Sequence, residues 1–201
     1  MKLILESNDV NDYLGEIPPI VVFNTPLIQK RIKEIESRAD SQKERAEIAF
    51  KIARDEIAHS FDIHGKIVTI NAEDILKTGE GICFAKAHLL ATLLRGMGIP
   101  TGFCYQRVTR KGSVESGYAL HGLNAVYLKE TGWFRVDPRG NKQGVDSEFT
   151  TDKEMLAYKI HPELGEVDYP NVFTKPLPSV ITSMKDSSDV DELFYKRPEA
   201  V

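Results

Sequence analysis

Apolar residues recur at Leu89, Leu90, Leu93, Leu94 and Met97, a helical period. Gly79 and Gly81 precede this run, while Gly96, Gly98 and Pro100 stop it. The pattern predicts an amphipathic helix whose first turn holds Cys83. Thr101 to Thr109 reads as a strand. Leu120 to Leu128 and Trp133 to Val136 form two β-prone runs around a turn containing Gly132, the pattern of a hairpin. His121 opens the first of these strands and Asp137 ends the second. If Leu128 pairs with Gly132 across a three-residue loop, Asp137 lies opposite Leu123, on the same face as His121 and one diagonal step from it. A two-residue loop would put the two side chains on opposite faces, so the odd loop is expected.

Upstream, Met1 to Leu5 is expected to be a strand, and Ile20 to Phe23 a short strand or buried extended piece. Thr25-Pro26 supplies an N-cap and a first-turn proline for a helix over about 26–37. Ser41 and Glu44 fit a capping box, and the helix that follows is expected to reach about Phe61. Asn71 to Lys77 reads as a short helix leading into the turn before Cys83. Downstream, short helices are expected at Met155–Tyr158, Leu177–Met184 and Asp189–Tyr195. Residues 1–201 read as one domain: an extension over 1–40 packed on a core of 41–150, and a C-terminal segment over 151–201. That segment is either two short helices on the core or a partner-binding or self-association tail.

The chain has 201 residues, 41% hydrophobic and 28% charged, an ordinary balance for a globular protein with a proper core. A net charge of −4 gives no nucleic-acid-binding signature. No basic stretch followed by an apolar run opens the sequence, and no run is long enough to span a bilayer, so no membrane association and a cytoplasmic location are expected. Two cysteines, Cys83 and Cys104, make no disulfide framework. With no Cys-x-x-Cys and no His-Glu-x-x-His, a zinc site is not expected.

The chemistry gathers around Cys83. Unpaired N–H groups and the dipole of a helix N-terminus favour negative charge, which lowers a thiol's pKa. A nucleophile of that kind needs a base, and the base an orienting group. His88, five residues along the same helix, would point away from the thiol. Cys104, in mid-strand, reads as structural.

A Cys at a helix start after Gly-x, a helix closing Arg95-Gly96-Met97-Gly98-Ile99-Pro100, a strand opening with His121, and Gly132-Trp133-Phe134-Arg135-Val136-Asp137-Pro138 together resemble the transglutaminase-like superfamily of cysteine enzymes. The resemblance covers about Ile48 to Lys142. It implies an α+β fold with a papain-like core, the catalytic helix packed against an antiparallel sheet. It also implies a triad with Cys83 as nucleophile, His121 as base and acid, and Asp137 as orienter. Many relatives carry a Trp soon after the His, where this chain has Gly122-Leu123-Asn124. The implied chemistry is acyl transfer at an amide through a thioester, with hydrolysis of a peptide, protein or amide substrate expected ahead of transfer to an amine. An acyltransferase using a small thioester donor and a non-catalytic binding module are the rivals. No cofactor is required, and no Asp-rich calcium loop is present. Gln106 on the neighbouring strand is the side-chain candidate for an oxyanion donor. Arg139 and Tyr118 are the candidates for substrate binding. The polar stretch Arg110 to Tyr118 is either a flap over the cleft or an ordinary hairpin loop.

Overall fold

The computed structural model describes residues 1–201. Its helices are α1 (Pro26–Glu36), α2 (Gln42–Lys51), α3 (Ala72–Thr78), α4 (Cys83–Gly96), α5 (Pro178–Lys185) and α6 (Val190–Lys196). Its strands are β1 (Ile4–Leu5), β2 (Ala58–His59), β3 (Glu80–Gly81), β4 (Thr101–Thr109), β5 (Tyr118–Leu128), β6 (Gly132–Val136), β7 (Val167–Asp168) and β8 (Asn171–Val172). Four strands form an antiparallel sheet in the order β6-β5-β4-β7. The fold is α+β, with α4 laid across one face of this sheet.

The capping signals act as their chemistry predicts. Thr25 accepts from the Ile28 N–H and Pro26 opens α1. Ser41 and Glu44 close the reciprocal capping box of α2. Helix α2 stops at Lys51, well short of Phe61. The chain widens into a π-helical turn over Ile52–Glu56 and then becomes β2. The ammonium of Lys86 on α4 donates to the carbonyls of Arg54 and Ile57 at this break, so carbonyls that an α-helix would use internally are held by another helix. Of the two expectations for Ile20–Phe23, the chain takes the buried extended form, with Ile20 and Val21 buried and Val21 bridged to Ile17.

Helix α4 is the central element because nearly all of it is buried, including Leu89, Leu90, Leu93 and Leu94. Each such leucine contributes roughly 1.5–3 kcal/mol of burial. The same core takes in Ile28, Ile32 and Ile35 of α1, Phe50 of α2, and Val180, Met184, Val190 and Leu193 of α5 and α6. The C-terminal helices are therefore packed on the core. A small second cluster, including Tyr13, Cys104, Leu123 and Val172, fills the other face of the sheet. Two contacts lock α4 to β5. The Asn124 amide donates to the carbonyls of Ala87 and Gly102, at 3.2 Å each. Gly122 lies so close to α4 that a Cβ there would stand 2.6 Å from Cδ1 of Phe84.

The β5–β6 hairpin has the odd loop. Leu128 pairs with Gly132 and Asn124 with Val136. Asp137 therefore follows opposite Leu123, on the face that carries His121. Strand β5 begins at Tyr118, three residues ahead of the expected start at His121. No helix is long and apolar enough to cross a membrane.

Candidate active site

Gly79 ends α3 in the left-handed conformation, φ 70°, which a side chain would resist. The chain then extends through β3, which pairs in parallel with β2, His59 opposite Gly81. Ile82 precedes α4 without any side-chain cap. The N–H groups of the first turn, Cys83's own among them, are thus left without a capping acceptor.

The imidazole of His121 and the N–H of Gly122 both act on the Cys83 thiol and favour its charged form. Nε2 of His121 lies 2.7 Å from Oδ2 of Asp137. Because a carboxylate oxygen accepts, Nε2 carries the proton and Nδ1 is the nitrogen left for the thiol. Asp137 is fully buried. Its Oδ1 accepts from the Arg139 N–H at 3.1 Å, and its Oδ2 from the Ala157 N–H at 3.0 Å. The Tyr158 ring stands edge-on to the imidazole with centroids 4.8 Å apart, so His121 is held from two sides.

Burial pushes the Cys83 thiol up. The charge and hydrogen bond of His121, the charge of Arg197 and the Gly122 N–H outweigh it, and the net shift is downward. Burial likewise disfavours the charged imidazole, but Asp137 and the Cys83 sulfur prevail and hold His121 well above its usual range. Both shifts favour a thiolate–imidazolium pair. Cys104 is the contrast: buried in the second cluster, its thiol is pushed up to about 12, and both cysteines are free. His88 is buried away from the thiol. Its Nδ1 lies 2.8 Å from the Ile70 carbonyl, and burial lowers its pKa to about 4.

Cys83 and His121 line a cleft of about 490 Å³, which His59, Arg139 and Arg197 also line. Three sequence candidates are placed otherwise than expected. Gln106 pairs with His121 in register, but its amide donates to Oδ1 of Asp168 at 3.3 Å and does not line the cleft. It is not an oxyanion donor in this arrangement, because its N–H is directed to the β7 carboxylate. Tyr118 is also outside the cleft: its hydroxyl donates to the Leu164 carbonyl at 2.9 Å, and Arg107 stacks on its ring. Arg139 does line the cleft, but it is only 3% exposed. Its guanidinium is taken by both oxygens of Asp62, at 2.5 and 2.9 Å, and by the Tyr158 hydroxyl. Met155–Tyr158 is not helical, because the Met155 carbonyl bridges to Glu148 and the Ala157 N–H is used by Asp137.

Sequence reasoning passed over His59, Tyr158 and Arg197. The placement of His59 depends on the β2–β3 pairing, and its Nδ1 is buried without a partner. No group of three or more His, Cys, Asp or Glu side chains stands where it could hold a metal ion.

Residues 29–138 match the sequence profile of the transglutaminase-like superfamily, more than half of the chain. The chain belongs to that superfamily. Among solved structures, one from Cytophaga hutchinsonii named "Putative Cysteine Protease" shares the fold, with a TM-score of 0.52 at 14% identity. The match takes in 66% of this chain and 43% of that one, so the transglutaminase-like chain described above spans less than half of that structure's length. A search of curated proteins returns no match. The matched stretch contains Cys83, His121 and Asp137, and leaves out α5, α6 and Arg197.

Proposed function

We propose that this transglutaminase-like chain cleaves a peptide or other amide bond by cysteine-dependent acyl transfer. The observation that carries the reading is the buried His121–Asp137 hydrogen bond at 2.7 Å in the cleft that Cys83 also lines, with His121 drawing the thiol's pKa down. The Cys83 thiolate attacks the carbonyl carbon and the carbonyl electrons move to oxygen. The uncapped N–H of Cys83 at the start of α4 supplies one donor for that oxyanion. As the C–N bond breaks, the His121 imidazolium gives its proton to the leaving amine, and a thioester on Cys83 remains. His121 then takes a proton from water, the hydroxide adds to the thioester, and the acid leaves with the thiolate restored. Asp137 keeps the imidazole in the tautomer and orientation that both steps need. An amine entering in place of water would give transamidation by the same intermediate.

The test is a peptide-amide library with mass spectrometry of the quenched protein. The expected result is an acyl adduct on Cys83, free acid in water and a hydroxamate when hydroxylamine is added. Products formed only with amine acceptors would replace hydrolysis by transamidation. No adduct and no substrate loss with any member would leave the binding-module reading in its place.

A further inference from the structure

Six basic side chains line the cleft: Arg110, Lys111, Arg139, Lys142, Lys159 and Arg197. Only two acidic residues join them, Asp62 and Glu166, although the chain as a whole carries a net charge of −4. Both acids are already engaged. Asp62 holds Arg139 and Lys142. Glu166 accepts from the backbone and hydroxyl of Thr109 with one oxygen and from the His161 N–H with the other.

Arg197 stands apart from the other cations. It is 8% exposed and forms no ion pair with any carboxylate of the chain, unlike Arg110, which reaches Glu199 at 3.6 Å. Its guanidinium packs on the rings of Phe61 and Phe194, 5.1 and 4.9 Å from their centroids. Its single hydrogen bond runs from Nε to the Phe194 carbonyl at 3.4 Å. Both terminal nitrogens are left without a protein acceptor. Its position is fixed: the Leu120 N–H donates to the Pro198 carbonyl at 2.7 Å, next to His121, and Arg110 donates to the carbonyls of Phe194 and Arg197. A buried, unpaired cation is costly unless an anion meets it. A planar fork with two free N–H edges fits a carboxylate better than it fits a lone sulfur.

We infer that Arg197 is the anion-recognising residue of the cleft, and that the substrate carries a carboxylate beside the scissile carbonyl. This rests on the reading of Cys83 as the attacking group. The carboxylate is either an acidic side chain next to the amide or the free end of a peptide. Lys111 and Lys159, which also line the cleft, add to its positive field.

Binding is measured on Cys83→Ala, so that it is independent of turnover. The probes are N-acetyl-Ala-Glu-amide, N-acetyl-Ala-Gln with a free carboxyl end, and neutral N-acetyl-Ala-Gln-amide, titrated by calorimetry at low and high salt. One of the two carboxylate peptides is expected to bind at least about tenfold tighter than the neutral peptide, with the advantage shrinking in salt. Arg197→Gln in the same background removes the advantage, and Arg197→Lys, which keeps charge but not the fork, retains only part of it. Which peptide gains distinguishes side chain from chain end. Equal binding of all three, absence of binding, or an advantage that survives Arg197→Gln overturns the inference. If Arg197→Gln does not fold, Arg197→Lys decides: an undiminished advantage overturns it. A carboxylate preference lost in Arg197→Gln, in a protein that cleaves no amide, would sink the hydrolytic reading and leave standing only Arg197's recognition of the carboxylate.

Discussion

Nε2 of His121 and Oδ2 of Asp137 lie 2.7 Å apart, although sixteen residues of chain separate them. The pair exists because the hairpin places position 137 diagonally across from 121 on one face. Asp137→Asn would leave the strands in place but turn an amide toward at least one of three N–H donors, those of His121, Arg139 and Ala157. Amide turnover is expected to fall by about 10²–10⁴-fold through loss of the tautomer, with far-ultraviolet circular dichroism unchanged. A loss below tenfold would mean that Asp137 does not orient the imidazole.

Cys83 should be alkylated by iodoacetamide at pH 6, while Cys104, pushed up to about 12, stays inert. The sign follows from the two shifts. A thiol lowered from 9.0 is already thiolate at pH values where an ordinary cysteine is protonated, and an imidazole raised from 6.5 keeps its proton further into the alkaline range. The paired state therefore occupies the window between them. His121→Ala should remove the acid-side reactivity, read site by site by mass spectrometry. Equal rates at both cysteines would count against the pair.

Gly122→Ala would drive a methyl group into Phe84, 2.6 Å from Cδ1. Overpacking of this kind costs about 1–3 kcal/mol, visible as a lower urea midpoint. Because the Gly122 N–H also helps to lower the Cys83 thiol's pKa, alkylation at pH 6 should slow as well. A variant with full stability and full reactivity would show that β5 and α4 have room to part.

Lys86 is fully buried, and burial, reinforced by the charge of Arg139, lowers its pKa to about 7 from 10.5. Below about pH 7 it is charged in both folded and unfolded states, and its burial opposes folding. Between about 7 and 10.5 the folded protein holds it neutral while the unfolded chain still binds the proton. Its contribution to stability therefore rises across that window and is lost again as pH falls, by a few kcal/mol at roughly 1.4 kcal/mol per unit. Lys86→Met should flatten this slope in urea titrations between pH 7 and 10. An unchanged slope would place the titration elsewhere.

The parts of the molecule legible in the sequence are those set by neighbours in the chain. The α4 stripe, the Thr101–Thr109 strand, the capping box and the parity of the hairpin all follow from local period, cap chemistry or loop length. The misplaced parts depend on distant partners. Helix α2 ends where Lys86, thirty-two residues beyond Arg54, takes the carbonyls of the break. Gln106 turns to Asp168, sixty-two residues away. Arg197 reaches the cleft through the bond between Leu120 and Pro198 and through the edge-on packing of Phe61 against Phe194. No periodicity in the C-terminal stretch announces that destination, and the short helices there could equally have packed elsewhere.

The turn at Lys129–Thr131 also constrains how this lineage can vary. Its three residues sit between Leu128 and Gly132 and do not line the cleft, yet their number decides which face Asp137 occupies. Gaining or losing one residue there would send the carboxylate to the opposite side of the sheet, unless a bulge absorbed the change. Gaining two would leave it in place. Among descendants that keep the His121–Asp137 pair, length changes at this turn should therefore come in even steps, a parity rule written into a loop that touches nothing chemical.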